Sequence, residues 1–239
     1  MSRELSVVIP AYNEEGEISK TLRETAEYLT SRQYRHEILV LNDGSTDSTP
    51  VKIKEVMKAY PQIVLVDRKI NKGKGQTVKE GIELVKYSFC LFMDADNSTS
   101  IVEWDKFEKL KDAGHTAMAA SRHLPDSTIG HSQPWSRRFL GTGYRFLCRL
   151  FFGLKVTDFN CGFKAFDTAL AKRLFSQVTM MDWTFDVELF CLMKKMGVCF
   201  VEVPVRWTHV QKSSSSSIFG PVRSAVQSFR SLLKLKTRY

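Results

Sequence analysis

Ser88–Ser98, SFCLFMDADNS, is the stretch around which the rest of the chain is organised. Five apolar residues between polar ends are typical of a short strand that is buried on both faces in the centre of a parallel sheet. The strand then stops at Asp94 and Asp96. Because unpaired carboxylates are costly to bury, these acids need a cation or a cluster of donors. We therefore expect a ligand site at this strand's carboxyl end, where open α/β sheets bind ligands.

Asp94 and Asp96 stand one residue apart, so both side chains can face one point at a strand-to-loop turn. Their hard oxygen atoms suit Mg²⁺ or Mn²⁺ that carries phosphate groups. An isolated Asp-x-Asp is also common in surface turns that cap the next helix, and taken alone the tripeptide favours that simpler interpretation. The rest of the chain has to decide between the two.

Composition limits the classes of function. The 239 residues are 43% hydrophobic and 26% charged, which describes an ordinary globular chain with a substantial core. Lys and Arg number 35 against 26 Asp and Glu, and the resulting net charge of +9 favours phosphate-bearing partners or an anionic membrane surface. The cations are not interleaved with aromatic residues as in a nucleic-acid-binding module, so we expect no nucleic-acid partner.

Cysteine usage and hydropathy bear on location. The five cysteines are odd in number and widely spaced, which predicts free core thiols in a reducing compartment. We expect no signal peptide before the first predicted strand, and no uncharged run of the sequence approaches the ~18 residues that span a bilayer. We expect a peripheral chain in the cytosol or on the cytosolic face of a membrane, without a transmembrane helix of its own.

Hydrophobic periodicity predicts four strands that alternate with helices, as in a parallel, doubly wound α/β sheet with right-handed crossovers. The loops that follow such strands meet at one edge of the sheet. The predicted strands are Leu5–Pro10, His36–Leu41, Ile63–Val66 and Phe89–Met93. The polar residues expected around one crevice are Tyr12, Glu14, Asp43, Lys74, Asp94 and Asp96. Glycine spacing excludes a Walker A loop at Gly73–Thr77 and a dinucleotide fingerprint after the first strand.

Four motifs, in this order and spacing, resemble those of inverting family 2 glycosyltransferases, whose fold is GT-A. They are Val8–Glu14, Asn42–Asp47, Asn71–Gly75 and Asp94–Asp96. Within the family the chain is similar to the polyprenyl-phosphate (dolichyl-phosphate) glycosyltransferases, and three later segments favour the glucosyltransferase branch over the mannosyltransferase branch. Those segments are Asp158–Lys164, Trp183–Leu189 and Val203–Thr208.

The resemblance implies an enzyme that binds a nucleotide-sugar donor, a divalent cation and a phosphate acceptor. The implied donor-binding positions are Pro10, Tyr12, Glu14, Leu41, Asp43, Lys74, Ala95 and Lys212, with Asp43 bonded to the base. Asp94 and Asp96 would hold Mg²⁺ or Mn²⁺ against the donor diphosphate, with Ser98 as a third metal position. The positions implied for the acceptor phosphate are Arg122, Arg137 and Arg138. Guanidinium suits this role because it offers phosphate a bidentate fork.

The chain departs from the mannosyltransferase pattern at three places. Ser98 stands where that pattern has glutamine, and Gly141 stands where it has a serine beside the acceptor arginine. Near the C-terminus, Lys212 and Ser213–Ser217 replace its Gly-x-Ser-Lys motif. The identity of a third metal ligand therefore stays open. So does the identity of the cation that contacts the donor when the loop near the C-terminus closes. Asp186 and Glu188 are equally open, either as groups near the sugar or as a helix cap and a solvated acid.

Two amphipathic segments are candidates for contact with lipid. Residues 139–154 are apolar except at Arg145 and Arg149, a composition suited to a helix that lies in a membrane interface. The second segment lies at the end of the sequence, after a serine-rich hinge at 213–217. Its apolar stripe is surrounded by cations, which predicts a basic amphipathic helix that either lies on the membrane or packs on the domain. Its stripe is Val222, Ala225, Val226, Phe229, Leu232 and Leu233. We accordingly divide the chain into a GT-A domain, 1–212, and a hinge with helix, 213–239.

These features predict transfer of a hexose from a nucleotide sugar to a polyprenyl (dolichyl-type) monophosphate, with inversion. UDP-glucose is the favoured donor and GDP-mannose the next. One alternative is a family 2 enzyme that acts on a saccharide or other hydroxyl acceptor, which would need Asp186 or Glu188 as a base. Another is a non-catalytic nucleotide-binding or membrane-binding module on the same fold. An integral-membrane partner is left open.

Overall fold

The computed structural model describes residues 3–130, 135–209 and 220–239, with the backbone alone at 135–139 and 220–226. Its strands are β1 (Glu4–Ala11), β2 (Arg35–Asp43), β3 (Ile63–Arg68), β4 (Phe89–Met93), β5 (Ala117–Ser121), β6 (Thr128–Ile129), β7 (Phe163–Asp167), β8 (Val201–Pro204) and β9 (Arg206–Trp207). Its α-helices are α1 (Ile18–Ser31), α2 (Thr49–Met57), α3 (Lys74–Leu84), α4 (Trp104–Asp112), α5 (Trp135–Phe152), α6 (Thr168–Gln177), α7 (Phe185–Lys195) and α8 (Gly220–Lys236).

Seven of the strands form one sheet in the order β3-β2-β1-β4-β7-β5-β8, while β6 and β9 pair separately. The first four strands are parallel, as the sequence predicts, and each is followed by a helix or loop at the same edge. β7 runs antiparallel between β4 and β5. The sheet is therefore mainly parallel, with one reversed strand beside the strand that ends at Asp94.

β4 lies in the middle of the sheet and is buried along its whole length. Its side chains alternate between two apolar layers, as the pleat of a strand requires. Cys90 and Phe92 join the layer beneath α3 and α6, whereas Leu91 and Met93 join the layer beneath α1 and α4. This confirms the prediction of a strand that is buried on both faces.

The five cysteines are free thiols. Four of them are buried, as expected, and Cys199 is exposed. Burial raises the pKa of the Cys90 and Cys161 thiols to about 12, so both stay protonated at neutral pH.

α8 packs on α5 and completes the apolar layer on that side of the sheet. Leu232 and Leu235 are fully buried there, whereas Phe229 and Leu233 are each 43% exposed. The predicted stripe was therefore wrong at its end, because the helix turns Leu235 inward and leaves Phe229 and Leu233 outside. The serine run at 213–217 lies outside the described residues. Within the described part of the chain, every helix is too short or too polar to cross a bilayer.

Candidate active site

A cavity of about 370 Å³ opens at the carboxyl edge of the parallel strands. Each of β1, β2 and β4 ends in polar residues that reach it, because parallel strands expose their carboxyl ends on one edge. The predicted site residues in its wall are Pro10, Tyr12, Glu14, Asp43, Lys74, Asp94, Ala95 and Asp96. The structure thus brings together the four motifs on which the sequence interpretation rested.

Lys74 is the first residue of α3, and its side chain extends along the cavity to the first acid. Nζ donates a hydrogen bond of 2.6 Å to Asp94 Oδ1, and the lysine side chain is only 9% exposed. Burial by itself lowers the pKa of Lys74, but the charges of Asp94, Asp186 and Asp96 outweigh it and raise the pKa above its usual value. The lysine is therefore a firmly held cation beside the acid.

Gly162 gives Asp94 the space it occupies. Gly162 immediately precedes β7, and its carbonyl oxygen accepts a hydrogen bond of 2.9 Å from the Asp94 backbone N–H. A Cβ at residue 162 would lie 2.1 Å from Asp94 Oδ2. A side chain there would displace the carboxylate, so glycine is required by close approach.

Asp94 and Asp96 supply the chemistry that a hard divalent cation needs. Both line the cavity, and Asp94 already holds one cation, the Lys74 ammonium. Among the described residues, no three His, Cys, Asp or Glu side chains gather as a metal cluster. Two carboxylates with waters and donor phosphates as further ligands match the way Mg²⁺ is commonly held. These residues therefore fit the expected Mg²⁺ or Mn²⁺.

Ser98, the expected third metal position, lies two residues after Asp96. It is 6% exposed and lies outside the cavity wall. Its backbone N–H donates a hydrogen bond of 3.0 Å to Asp96 Oδ1, and its carbonyl oxygen accepts one from Thr208. Ser98 thus orients Asp96 through its backbone, and its part as a third metal position stays a prediction.

Asp43 lies in the wall but is only 3% exposed. Its carboxylate accepts hydrogen bonds from the backbone N–H of Lys72 at 2.8 Å and of Gly73 at 3.0 Å, and from Arg68 Nη2 at 2.7 Å. A carboxylate offers about four acceptor positions, so about one is left for a ligand. Asp43 therefore shapes the loop before α3, a function that the sequence interpretation missed together with Arg68.

Leu41 is fully buried in the core and lies outside the cavity wall. Its Cδ1 would be 2.9 Å from a Cβ placed on Gly81 of α3, so the side chain fills the space between β2 and that helix. The expected role of Leu41 in donor binding stays a prediction.

Arg122 directly follows β5 and forms a two-bond ion pair with Asp158. Its Nε and Nη2 donate to the carboxylate at 2.7 and 2.8 Å, and its guanidinium carbon lies 5.3 Å from the centre of the Trp207 ring. Burial favours the neutral form of Asp158, but the pairing outweighs it and lowers the pKa of Asp158 to about 2. Arg122 lies outside the cavity wall, and its Nη1 is not used by the pair.

The remaining basic residues of the predicted site are not fully described. Arg137 and Arg138 lie in the first turn of α5, where the backbone alone is described. Lys212 lies outside the described residues. Their roles stay predictions.

Asp186 and Glu188 stand at the start of α7 and are both completely buried. Asp186 Oδ1 accepts a hydrogen bond of 2.6 Å from Lys164 Nζ, while burial raises the pKa of Asp186. Glu188 accepts hydrogen bonds from Thr179 and from the backbone N–H of Met180. The interpretation of Glu188 as a solvated acid is wrong, and neither carboxylate lines the cavity.

Trp183 is a cavity residue that our site prediction omitted. Its indole is 60% exposed, lines the cavity, and has its ring centre 4.5 Å from Lys74 Nζ. The sequence signal was a tryptophan in the short polar stretch before α7. The residue is visible in the sequence, but the sequence does not indicate the direction in which its ring points.

Comparison with known proteins places this site in a family. The sequence pattern of Glycosyl transferase family 2 matches residues 6–175. A "Dolichyl-phosphate beta-glucosyltransferase" of Dictyostelium discoideum is 30% identical over 98% of this chain and 74% of its own length. The protein of the same name from Drosophila melanogaster is 32% identical over 100% of this chain and 76% of its own length.

Solved structures share the fold. Glucosyl-3-phosphoglycerate synthase from Mycobacterium tuberculosis, crystallised with Mn²⁺, uridine diphosphate and phosphoglyceric acid, matches with a TM-score of 0.66. The match covers 98% of this chain and 78% of that one, at 18% identity. Staphylococcus aureus TarS with UDP-GlcNAc matches with a TM-score of 0.58 and 17% identity, over 91% of this chain and 62% of TarS. The expected GT-A architecture is thereby confirmed, and the chain belongs to glycosyl transferase family 2.

Proposed function

We propose that the chain transfers glucose from UDP-glucose to the phosphate of dolichyl phosphate, with inversion at the anomeric carbon. The observation that carries the proposal is the joint placement of Asp94, Asp96 and Lys74 in a cavity at the carboxyl edge of the sheet. The choice of glucose and dolichyl phosphate rests on relatives that match nearly the whole chain and carry that activity in their names.

In this reaction an oxygen of the acceptor phosphate bonds to the anomeric carbon, while the bond from that carbon to the UDP oxygen breaks. Negative charge develops on the departing diphosphate. A divalent cation between Asp94 and Asp96 would supply Lewis-acid stabilisation of that charge when bound. Lys74 adds a fixed ammonium on the same side, and a charge that is already in place needs no reorganisation as the bond breaks.

A phosphate acceptor needs no general base. The second pKa of a phosphate monoester is near ~6, so the acceptor is largely dianionic at neutral pH. Asp186 and Glu188, which the hydroxyl-acceptor alternative requires, are buried and engaged with Lys164 and with the loop before α7. Their burial favours the phosphate acceptor over a hydroxyl acceptor.

The acceptor phosphate needs cations that hold it against the donor's negative charge. We assign this function to Arg137 and Arg138, at the start of α5, together with Nη1 of Arg122. An arginine that uses two nitrogens in a structural pair still presents its third nitrogen as a rigidly placed donor. The pair with Asp158 would thus position Arg122 for the acceptor.

A lipid acceptor also requires a surface that meets the membrane. On α5, Phe146 and Leu150 are each 64% exposed, and on the adjoining α8, Phe229 and Leu233 are each 43% exposed. Spacing of four residues puts each pair on one face of its helix. With the basic residues around them, these pairs suit peripheral attachment to an anionic membrane surface, which we place on the cytosolic side. An integral-membrane partner is not required by this arrangement.

A transfer assay tests the proposal. The protein is incubated with labelled UDP-glucose or GDP-mannose, with Mn²⁺ or Mg²⁺, and with a short-chain dolichyl phosphate. We expect label from UDP-glucose to enter the organic phase, and the double variant Asp94→Asn/Asp96→Asn to lose that transfer. Nucleotide binding without any transfer would favour the non-catalytic module. Transfer from GDP-mannose alone would refute the proposed donor.

A further inference from the structure

We infer that the indole of Trp183 is the platform on which the hexose of the donor stacks. The inference rests on the proposed function and assigns a specificity residue to it. Trp183 is 60% exposed in the cavity wall, although a large aromatic ring is costly to leave in water. An exposed ring that lines a concave polar site is a feature of ligand recognition.

The ring stands next to the place where the diphosphate would lie. Lys74 Nζ bonds to Asp94 Oδ1 at 2.6 Å and lies 4.5 Å from the centre of the Trp183 ring. One ammonium therefore connects the metal-binding acid with the indole face. Because the hexose is attached directly to the diphosphate, a donor held at Asp94 brings its sugar close to this ring.

The loop that carries Trp183 is held rigidly. Glu188 accepts hydrogen bonds from the backbone N–H groups of Thr179 and Met180, at 2.8 and 2.7 Å. The Met181 carbonyl oxygen accepts one of 2.8 Å from the Gly75 N–H, and a Cβ on Gly75 would lie 2.4 Å from the Met180 oxygen. The glycine of the Asn71–Gly75 motif thus permits close packing of this loop. A platform fixed in this way loses little conformational entropy when a ligand binds.

The loop that carries the ring is tied to α8. Ser231 of α8 donates a hydrogen bond of 2.6 Å to Asp182, the residue before Trp183. We assign the other exposed aromatic residue of the cavity wall, Tyr12 on the loop after β1, to the nucleoside. Trp183 is therefore available to the sugar.

Stacking suits the chemistry of glucose. The negative face of an aromatic ring attracts the weakly positive C–H groups on the flat face of a sugar. The same face attracts cations, and the hexose gains positive charge as its bond to the diphosphate breaks. The indole would thus bind the sugar in the ground state and favour it further during transfer.

Calorimetric titration of UDP and of UDP-glucose, each with Mn²⁺, tests the inference in the wild type, Trp183→Ala and Trp183→Phe. We expect Trp183→Ala to weaken UDP-glucose binding at least tenfold and UDP binding less than threefold, and Trp183→Phe to stay within threefold for both. The control Tyr12→Ala should weaken both ligands alike. Equal weakening of the two ligands by Trp183→Ala, or no weakening, overturns the inference. Failure of the wild type to bind UDP-glucose overturns the proposed donor instead.

Discussion

Lys74 Nζ donates a hydrogen bond of 2.6 Å to Asp94 Oδ1, so an ammonium occupies one acceptor position of the acid that we assign to the metal. In our proposal, this ammonium and the metal ion compete for the same carboxylate when no nucleotide is present. With a donor bound, the diphosphate carries enough negative charge to engage both. The lysine and the metal are then partners in holding one ligand.

Replacement of Lys74 by methionine should therefore act in opposite directions on two ligands. We expect Mn²⁺ alone to bind about tenfold more tightly, since the competing ammonium is gone, and UDP at saturating Mn²⁺ to bind about tenfold more weakly. Titration of each ligand measures both effects. Lys20→Met, on the exposed face of α1, serves as the control. Unchanged UDP affinity in Lys74→Met would refute a contact between this lysine and the diphosphate.

Substitution of Gly162 by alanine should disable the proposed metal site by displacing the carboxylate of Asp94. The new Cβ would lie 2.1 Å from Asp94 Oδ2, so the carboxylate must rotate away from its place. We expect glucose transfer to fall at least 100-fold, about 3 kcal/mol in activation free energy, with a raised requirement for Mn²⁺. Gly16→Ala is the matched control, because its Cβ would meet no atom within 4 Å. Wild-type kinetics in Gly162→Ala would show that the carboxylate position is not critical.

The ion pair of Arg122 and Asp158 should make stability depend on pH in the acid range. Asp158 has a pKa of about 2 in the folded chain, against about 3.9 when unfolded. The ionised carboxylate of Asp158 therefore contributes roughly 2 to 3 kcal/mol to the free energy of unfolding. This contribution is complete above about pH 4 and is lost as the pH falls toward 2. Urea unfolding across this range measures it. Asp158→Asn should show a shallower decline, and an identical decline would contradict the assigned pairing.

The arginines that we assign to the acceptor should differ in their effect on stability when each is replaced. Arg122→Ala leaves the buried carboxylate of Asp158 without its paired cation, with backbone N–H donors remaining from residues 122 and 160, and should lower the free energy of unfolding by ~3 kcal/mol. We assign Arg137 to the acceptor phosphate and not to a structural pair, so for Arg137→Ala we expect native thermal stability and a KM for the acceptor phosphate raised at least tenfold. Thermal unfolding and acceptor titrations distinguish the two. A KM for the acceptor that stays normal in Arg137→Ala would remove this residue from the acceptor site.

Attachment to membranes should depend on the exposed apolar pair of α5. Burial of a large apolar side chain contributes about 1.5 to 3 kcal/mol, so Phe146→Glu with Leu150→Glu should reduce binding to anionic vesicles at least tenfold. Sedimentation with vesicles measures the partition, and UDP binding should persist. The control Val102→Glu changes a residue of similar exposure, 57%, beside α4. Equal vesicle binding by both variants would place the membrane contact elsewhere.

Much of the donor side could be predicted because its signals are local. The alternation of β4, the acids that end it and the loops after β1 and β2 are each visible within about ten residues of sequence. The burial of Leu41 and Ser98 was not predicted, because a motif match gives a position and not the direction of its side chain. In both cases the strand pleat or the turn directs the side chain into the protein.

The remaining features depend on contacts between distant segments. The antiparallel strand β7 brings Gly162 against Asp94, and the loop before α7 brings Trp183 over Lys74. Hydrophobic periodicity cannot reveal either contact, since each is set by the order of strands in the sheet. The inward face of α8 was misjudged for a related reason: Leu233 and Leu235 are equally apolar, and packing on α5 selects Leu235.

The most direct measurement is the product formed from UDP-glucose, Mn²⁺ and a short-chain dolichyl phosphate, analysed by mass spectrometry and by the proton coupling at the anomeric carbon. The account predicts a hexosyl phosphate of β configuration from the wild type, none after chelation of the metal, and none from Asp94→Asn. An α-linked product, or the same yield of product from Asp94→Asn, would contradict it.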